Sequence, residues 1–228
     1  MLKNLCIITS LLVVTSCIST HNRWTRIIDN SEINVVATAV TKDGEEFFTG
    51  TGFIIGKNLI ATAGHVAQSL DTKYSKSNPR IKLSNKEILK IKHIYHDCSD
   101  TRKTDIGLIV TEGMKTKQYL KLRRELPKPG EDVVTIGNPG DFIYIASRGS
   151  VMKNTKDKPK VGKLIDIIRI ANRISYGASG SPVMDVNGKV IGVVVRFLKI
   201  DEMGFYSTSV MPIKYIDPIL KYHKDLQK

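Results

Sequence analysis

Three side chains in this sequence have the types and the spacing that nucleophilic acyl transfer needs. Ser179 lies in the glycine-containing stretch 177–182, where the backbone can expose a hydroxyl and direct N–H groups at an oxyanion. His65 ends the small-residue stretch 61–64, and Asp105 precedes an apolar strand. A histidine can accept the serine proton, and a carboxylate can hold the histidine in the productive tautomer. The sequence therefore predicts a catalytic triad of His65, Asp105 and Ser179.

The segments that carry these residues resemble the trypsin-like serine peptidase superfamily. They cover residues 50–66, 104–110 and 177–182. Asp105 follows His65 by 40 residues and Ser179 follows Asp105 by 74 residues, in the order of the chymotrypsin-type proteases. The resemblance covers most of the chain between residues 33 and 215. It implies a serine endopeptidase that needs no cofactor and acts on polypeptides.

Further motifs resemble two different subfamilies. Residues 129–140 and 204–213 are similar to segments of the Deg-type (high-temperature-requirement) proteases. The Ser-Gly-Ser-Pro tetrapeptide at 179–182 instead resembles the staphylococcal glutamyl endopeptidases. The strand after Gly192 lacks the histidine that those enzymes use, so glutamate specificity is not carried over. The Deg-type proteases append a peptide-binding (PDZ) module, which we do not expect here.

The pattern of short apolar segments separated by turn residues predicts an all-β fold. Asp43-Gly44 and Asn187-Gly188 are tight-turn pairs between apolar stretches. The resemblance implies two packed six-stranded antiparallel β-barrels, at residues 33–120 and 121–210. Apolar residues at near-helical spacing after Ile213 predict a C-terminal α-helix, so we assign residues 121–228 to the second barrel and this helix.

The resemblance also implies which residues meet the substrate. The N–H groups of Gly177 and Ser179, with Ala178 lining the turn, are expected to form the oxyanion hole. Ala178 replaces the aspartate that activates trypsin-like zymogens, so that activation mechanism is excluded. We predict that six residues bind substrate: Arg173, Ser175, Tyr176, Val193, Val194 and Val195. The Arg173 side chain either favours an acidic residue before the scissile bond or points to solvent.

The first residues have the features of a secretory signal of the lipoprotein type. A positive start precedes the apolar run 5–14, and residues 14–17 resemble a lipobox that ends in Cys17. We predict a signal peptide at residues 1–16, lipidation of Cys17, and a tether at residues 17–32. The alternative is a plain signal peptide. Lipidation implies a membrane-anchored protein on the periplasmic or extracellular side of a bacterial envelope.

Composition and charge restrict the remaining classes of function. The 228 residues are 41% hydrophobic and carry a formal net charge of +13. Basic clusters at residues 115–124 and 153–160 favour acidic substrates or anionic surfaces. Nucleic acid is not expected as a partner, because no aromatic-interleaved basic strand or recognition helix accompanies the charge. The alternative is an ordinary solvated basic face.

The other cysteines and histidines predict no disulfide and no metal site. Of three cysteines only Cys98 remains after signal removal and lipidation. His93 and His96 lie close to Cys98, but zinc sites need about four ligands. Asp97 or Asp100 takes the place of Asp105 in the triad only if the loop that carries Asp105 is misassigned.

We therefore predict a membrane-tethered serine endopeptidase acting outside the cytoplasm on exported or foreign polypeptides. One alternative is a catalytically idle protease fold that serves as a surface lipoprotein for binding. Another is an esterase that uses the same triad. The sequence does not indicate the oligomeric state.

Overall fold

Two closed β-barrels form the framework of the protein. The computed structural model describes residues 23–96, 104–138, 144–157, 164–199 and 206–227. The first barrel contains Val35–Lys42 (β1), Glu45–Gly56 (β2), Leu59–Thr62 (β3), Arg80–Lys82 (β4), Ile88–His96 (β5) and Gly107–Thr111 (β6). The second contains Asp132–Gly137 (β7), Ile145–Asp157 (β8), Ile165–Ala171 (β9), Pro182–Asp185 (β10), Val190–Lys199 (β11) and Tyr206–Pro212 (β12).

The two barrels share one strand order. It runs β1-β2-β3-β6-β5-β4 in the first barrel and β7-β8-β9-β12-β11-β10 in the second, and neighbouring strands are antiparallel. The predicted fold of two six-stranded antiparallel barrels is thus confirmed. The chain passes from one barrel to the other between Thr111 and Asp132, a stretch that contains the predicted boundary at residues 120 and 121.

Each barrel is filled by large apolar side chains from several of its strands. Phe53, Ile60, Ile81 and Leu108 are fully buried in the first barrel, as are Ile136, Ile168, Ile170 and Met184 in the second. Burial of each such side chain contributes about 1.5–3 kcal/mol. The tight turns predicted at residues 43–44 and 187–188 connect β1 to β2 and β10 to β11. The strands therefore meet where the sequence pattern indicated.

Helices cover parts of this framework. Residues 23–32 form α1, Gly64–Asp71 forms α2, and a 3₁₀ turn at Ile213–Ile216 leads into α3 at Asp217–Asp225. The predicted C-terminal helix is confirmed, and Pro218 stands in its first turn, where a missing N–H costs nothing. No helix in the described ranges combines the length and apolar character that a membrane span requires.

Helix α1 differs from the predicted tether at residues 17–32. Trp24 is only 3% exposed, and the guanidinium of Arg148 in β8 lies 5.1 Å from its ring centroid. Residues 23–32 are therefore part of the folded body, because a buried tryptophan anchors them there. The predicted signal peptide and Cys17 lie outside the described residues, as do residues 18–22 of the tether.

Asp166 joins β9 to the C-terminal 3₁₀ turn through one ion pair and to β8 through another. Its carboxylate lies 2.5 Å from Lys214 Nζ and 2.8 Å from Lys156 Nζ. These two lysines lower the pKa of Asp166 to about 2. The ionised carboxylate is therefore favoured in the folded state over the unfolded chain.

Asp166→Asn is expected to lower the free energy of unfolding by about 1 kcal/mol at neutral pH, because the partly exposed lysines are screened by solvent. A folded-state pKa below the unfolded value stabilises the protein fully above pH ~4, and this contribution is lost as the pH falls towards about 2. Urea unfolding between pH 2 and 7 measures whether the unfolding free energies of parent and variant approach each other as the pH falls. Asp132→Asn, at an exposed position in β7, is the control, and a constant difference at every pH contradicts the assignment.

Candidate active site

His65 and Asp105 form a close pair at one end of the first barrel. His65 Nδ1 lies 2.9 Å from Asp105 Oδ2 and 3.1 Å from Oδ1. The backbone N–H of His65 also donates to Asp105 Oδ1, at 2.8 Å. A carboxylate beside Nδ1 favours the tautomer with the proton on Nδ1, which leaves Nε2 free to accept a proton. The predicted histidine and aspartate therefore lie within hydrogen-bonding distance of each other.

Close packing between α2 and β6 brings these two residues together. His65 is in the first turn of α2, and Asp105 lies two residues before β6. A Cβ at Gly107 would lie 2.6 Å from Ala67 Cβ and 3.3 Å from the Ala63 carbonyl oxygen. Only glycine allows the strand to lie this close to the helix.

The predicted nucleophile Ser179 lies in a tight turn between β9 and β10. The turn has positive φ at Gly177 (+91°) and at Gly180 (+89°), a region that L side chains rarely adopt. Ser181 N–H donates to Ala178 O, and Gly180 N–H donates to Val194 O in β11. Ser179 is partly exposed, so its hydroxyl is held in a fixed turn at the surface between the barrels.

The backbone of this turn leaves two N–H groups available for an oxyanion. Ala178 N–H donates to the Ser175 carbonyl oxygen at 3.2 Å. Within the described residues, the N–H groups of Gly177 and Ser179 have no acceptor. Also within those residues, no hydrogen bond joins the Ser179 hydroxyl to the His65 ring, a bond that often forms only when substrate is present.

Thr51 and Asn138 connect the nucleophile turn to both barrels. Thr51, in β2, donates its N–H to Ser179 O at 2.8 Å and its hydroxyl to Gly177 O at 2.9 Å. The Thr51 hydroxyl accepts the Asn138 N–H at 2.9 Å, and Asn138 Nδ2 donates to Val36 O at 3.1 Å. Both side chains are fully buried. Thr51 therefore fixes the Gly177 and Ser179 carbonyl groups, and Asn138 fixes the Thr51 hydroxyl.

Neither Thr51 nor Asn138 stands out in the sequence as a functional residue. Asn138 follows Thr51 by 87 residues, and local patterns carry no information on such contacts. The one available signal was a polar residue between two glycines, Gly50 and Gly52, just before the apolar run 53–55.

Thr51→Val is expected to lower kcat/KM about ten- to hundredfold. The change keeps the side-chain shape but leaves Gly177 O and Asn138 N–H unpaired, at about 1–3 kcal/mol for each buried group. Thr51→Ser keeps the hydroxyl and is expected to retain most of the activity. Peptide hydrolysis and the thermal midpoint are measured for both. Unchanged kcat/KM in Thr51→Val, or an equal loss in Thr51→Ser, which keeps the hydroxyl, contradicts the hydroxyl's role.

The predicted substrate-binding residues of β11 have their side chains in the core. Val193 and Val194 are 0% and 1% exposed, whereas Val195 is partly buried at a register shift between Val194 and Arg196. Val194 bonds through its backbone to Gly180 and to Ser181. The side chains of Val193 and Val194 therefore lie in the core, and the backbone of Val194 supports the nucleophile turn.

The other predicted substrate-binding residues lie on the loop before Gly177. Arg173 and Ser175 are exposed. Tyr176 is 82% exposed, and its ring meets Phe197 edge to face, with the ring centroids 5.1 Å apart. This aromatic pair connects the nucleophile turn to the end of β11.

His93 and His96, the two histidines close to Cys98 in the sequence, have structural contacts. His93 lies 6.3 Å from Tyr95 between ring centroids, and His96 Nε2 lies 3.4 Å from Asp71 Oδ2. Across the described ranges, three or more His, Cys, Asp or Glu side chains never cluster as a metal site would require. Asp97, Cys98 and Asp100 lie outside the described residues.

Comparison with known proteins identifies the family. A model of the trypsin-like peptidase domain matches residues 50–193, more than half of the chain. The chain belongs to the trypsin-like peptidase family. Mouse serine protease HTRA3 is 31% identical over 150 residues, which cover 64% of this peptidase chain and 32% of HTRA3. The probable periplasmic serine endoprotease DegP-like of Pseudomonas putida is 28% identical over 145 residues. These residues cover 63% of this chain and 28% of that protein. This trypsin-like peptidase thus spans about a third of the length of these curated relatives.

Solved structures share the trypsin-like peptidase fold. The active form of the Rv3671c protease from M. tuberculosis has a TM-score of 0.67 and 22% identity, covering 84% of this chain and 81% of that chain. An inactive form of the same protease has a TM-score of 0.66, and the match covers 86% of this chain and 91% of that chain. Because active and inactive forms match almost equally, the likeness describes the fold and not a catalytic state.

Proposed function

We propose that this trypsin-like peptidase is an active serine endopeptidase with the triad His65, Asp105 and Ser179. The observation that carries the proposal is the His65–Asp105 pair, in which Nδ1 lies 2.9 Å from the carboxylate while Nε2 is left as a base. The Ser179 turn, bonded to Thr51 of the first barrel, supplies the nucleophile.

The reaction proceeds in two stages. His65 Nε2 accepts the Ser179 proton as Oγ attacks the scissile carbonyl carbon, and the N–H groups of Gly177 and Ser179 stabilise the oxyanion. His65 then donates that proton to the leaving amine, and the carbon–nitrogen bond breaks. Water, deprotonated by His65, then attacks the acyl carbon, the ester bond to Ser179 Oγ breaks, and His65 returns the proton to Oγ. Loss of one oxyanion donor typically costs about 3 kcal/mol.

The end of β11 suits a polypeptide substrate. Pro182, the first residue of β10, pairs with Val193, whereas β12 pairs with β11 as far as Lys199. Among the described residues, β11 beyond Val194 therefore has a neighbour on one side only. An extended substrate can add to this edge through backbone hydrogen bonds.

Labelling with a fluorophosphonate probe tests the proposal. The purified parent is expected to become covalently labelled, Ser179→Ala to lose all labelling, and His65→Ala to label far more slowly. Circular dichroism establishes that each variant is folded. A folded parent that does not react contradicts the proposal and favours an idle binding protein. Matched ester and amide substrates separate an endopeptidase from an esterase.

We also propose that the protein is exported and anchored by lipid at Cys17. The support is the signal-like sequence of residues 1–17, together with a relative whose name places it in the periplasm. Metabolic labelling with a palmitate analogue is expected to mark the parent and Cys6→Ser but not Cys17→Ser. A labelled Cys17→Ser variant contradicts this assignment.

A further inference from the structure

A cavity of about 630 Å³ lies directly beside the candidate catalytic residues. His65 and Gly177 form part of its wall. The rest of the wall is distinguished by four aromatic rings and two lysines: Phe47, Phe48, Tyr74, Tyr176, Lys42 and Lys73. The cavity is therefore apolar at its walls and positively charged.

The position of the cavity indicates which part of a substrate it receives. Apart from Tyr176 and Gly177, its lining comes from β1, β2, α2 and the residues just after α2, all in the first barrel. Strand β11, whose free edge suits the acyl side of the substrate, contributes none of the lining. Because His65 gives its proton to the leaving amine, the cavity beside it receives the residues that follow the scissile bond.

The two lysines of the cavity have no carboxylate beside them in the described lining. The nearby Glu46 is paired with Arg80 at 3.0 Å and with Lys82 at 2.6 Å. Lys42 and Lys73 are exposed and, in the described part of the chain, take part in no ion pair.

The geometry of Lys73 also suits recognition of an extended side chain. Its Nζ lies 4.8 Å from the Tyr74 ring centroid, so the cation is held beside an aromatic wall. Phe47, which is 47% exposed, offers apolar surface on the same cavity. A glutamate can place its methylenes on the rings and its carboxylate near a lysine.

We propose that this cavity selects substrates with an acidic side chain among the first three residues after the scissile bond. The inference rests on the proposed endopeptidase function and adds a substrate preference to it. Lys42 and Lys73 are the residues that determine this preference. The net charge of +13 acts in the same direction, because it attracts acidic polypeptides over longer distances.

Matched peptides test the preference. Cleavage sites are first mapped in a peptide library, and quenched peptides are then made that differ only by Glu or Gln at each of the three positions. The parent is expected to cleave the best Glu peptide about three- to tenfold faster than its Gln partner, as exposed ion pairs allow. The ratio should fall towards one as ionic strength rises from about 0.05 M to about 0.5 M.

Charge reversal identifies the lysines responsible. Lys42→Glu/Lys73→Glu is expected to prefer the Gln peptide, whereas Lys121→Glu/Lys189→Glu, at exposed positions outside the cavity, keeps the parent's preference. Equal cleavage of Glu and Gln peptides by the parent overturns the inference, as does an unchanged preference in the Lys42/Lys73 variant.

An activated ester with a small alcohol leaving group separates this inference from the proposed function. Such a substrate places no peptide in the cavity, so its hydrolysis by the parent reports the triad independently of any Glu preference. Ester hydrolysis without a Glu preference overturns the substrate preference alone. A parent that neither hydrolyses the ester nor reacts with the fluorophosphonate overturns the endopeptidase assignment and the preference with it.

Discussion

Asp105→Asn is expected to lower kcat/KM for peptide hydrolysis by about 10⁴-fold while the protein stays folded. The amide oxygen of asparagine can still accept the His65 backbone N–H, which Asp105 Oδ1 accepts at 2.8 Å. The amide NH₂ group then faces Nδ1 and favours the tautomer protonated on Nε2. An Nε2 that already carries a proton cannot accept one from Ser179. Peptide hydrolysis, fluorophosphonate labelling rates and the thermal midpoint are measured together.

Asp71→Asn is the matched control for this variant. Asp71 is another carboxylate beside a histidine of the first barrel, with Oδ2 3.4 Å from His96 Nε2, and its replacement is expected to leave activity unchanged. If Asp105→Asn keeps activity within about tenfold of the parent, Asp105 is not the positioning carboxylate. Asp97 and Asp100, the sequence-based alternatives, are then the next residues to change.

Gly180→Ala is expected to disrupt the nucleophile turn and to destabilise the fold by at least about 3 kcal/mol. A Cβ at this position would lie 1.9 Å from Thr51 O and 2.4 Å from Thr62 Oγ1. The residue also has φ of +89°, where alanine is strained. Because the Thr51 carbonyl belongs to β2, relief of the clash must move the Ser179 turn. Displacement of about 1 Å lowers kcat/KM about a hundredfold.

Gly130→Ala distinguishes steric clash from backbone strain. Gly130 has a similar φ of +86°, but a Cβ there meets nothing within 4 Å. Its replacement should cost only about 1–2 kcal/mol and leave labelling of Ser179 unchanged. Urea unfolding and labelling are measured for both variants. Equal destabilisation by the two changes means that the close contact at Thr51 has no energetic effect.

The fold could be predicted and a candidate triad proposed from the sequence, because their signals are local. Glycines beside Ser179, small residues before His65 and an apolar strand after Asp105 are patterns within a few residues. Turn pairs such as residues 43–44 likewise mark strand ends directly. In each case the local backbone requirement restricts which residue types fit.

Other features depend on contacts that local patterns do not specify. Residues 23–32, which form α1, were predicted to be part of a tether because they follow a signal-like segment. Trp24 was a residue in this range that indicated burial. The consecutive valines Val193–Val195 did not reveal which side chains enter the core, because β11 is buried on both faces at Val193 and Val194 and shifts register at Val195. Alternation along the strand was therefore no guide.

The hydrogen bonds from Thr51 to the Ser179 turn would make the proposed activity a reporter of association between the two halves of the chain. His65 and Asp105 belong to one barrel and Ser179 to the other, and the bonds that orient the nucleophile cross between them. If the chain were cut between Thr111 and Asp132, neither fragment would contain a complete site. Recovery of labelling on mixing would then report fragment complementation, and fusion of the halves to two interacting proteins would convert their binding into a catalytic signal.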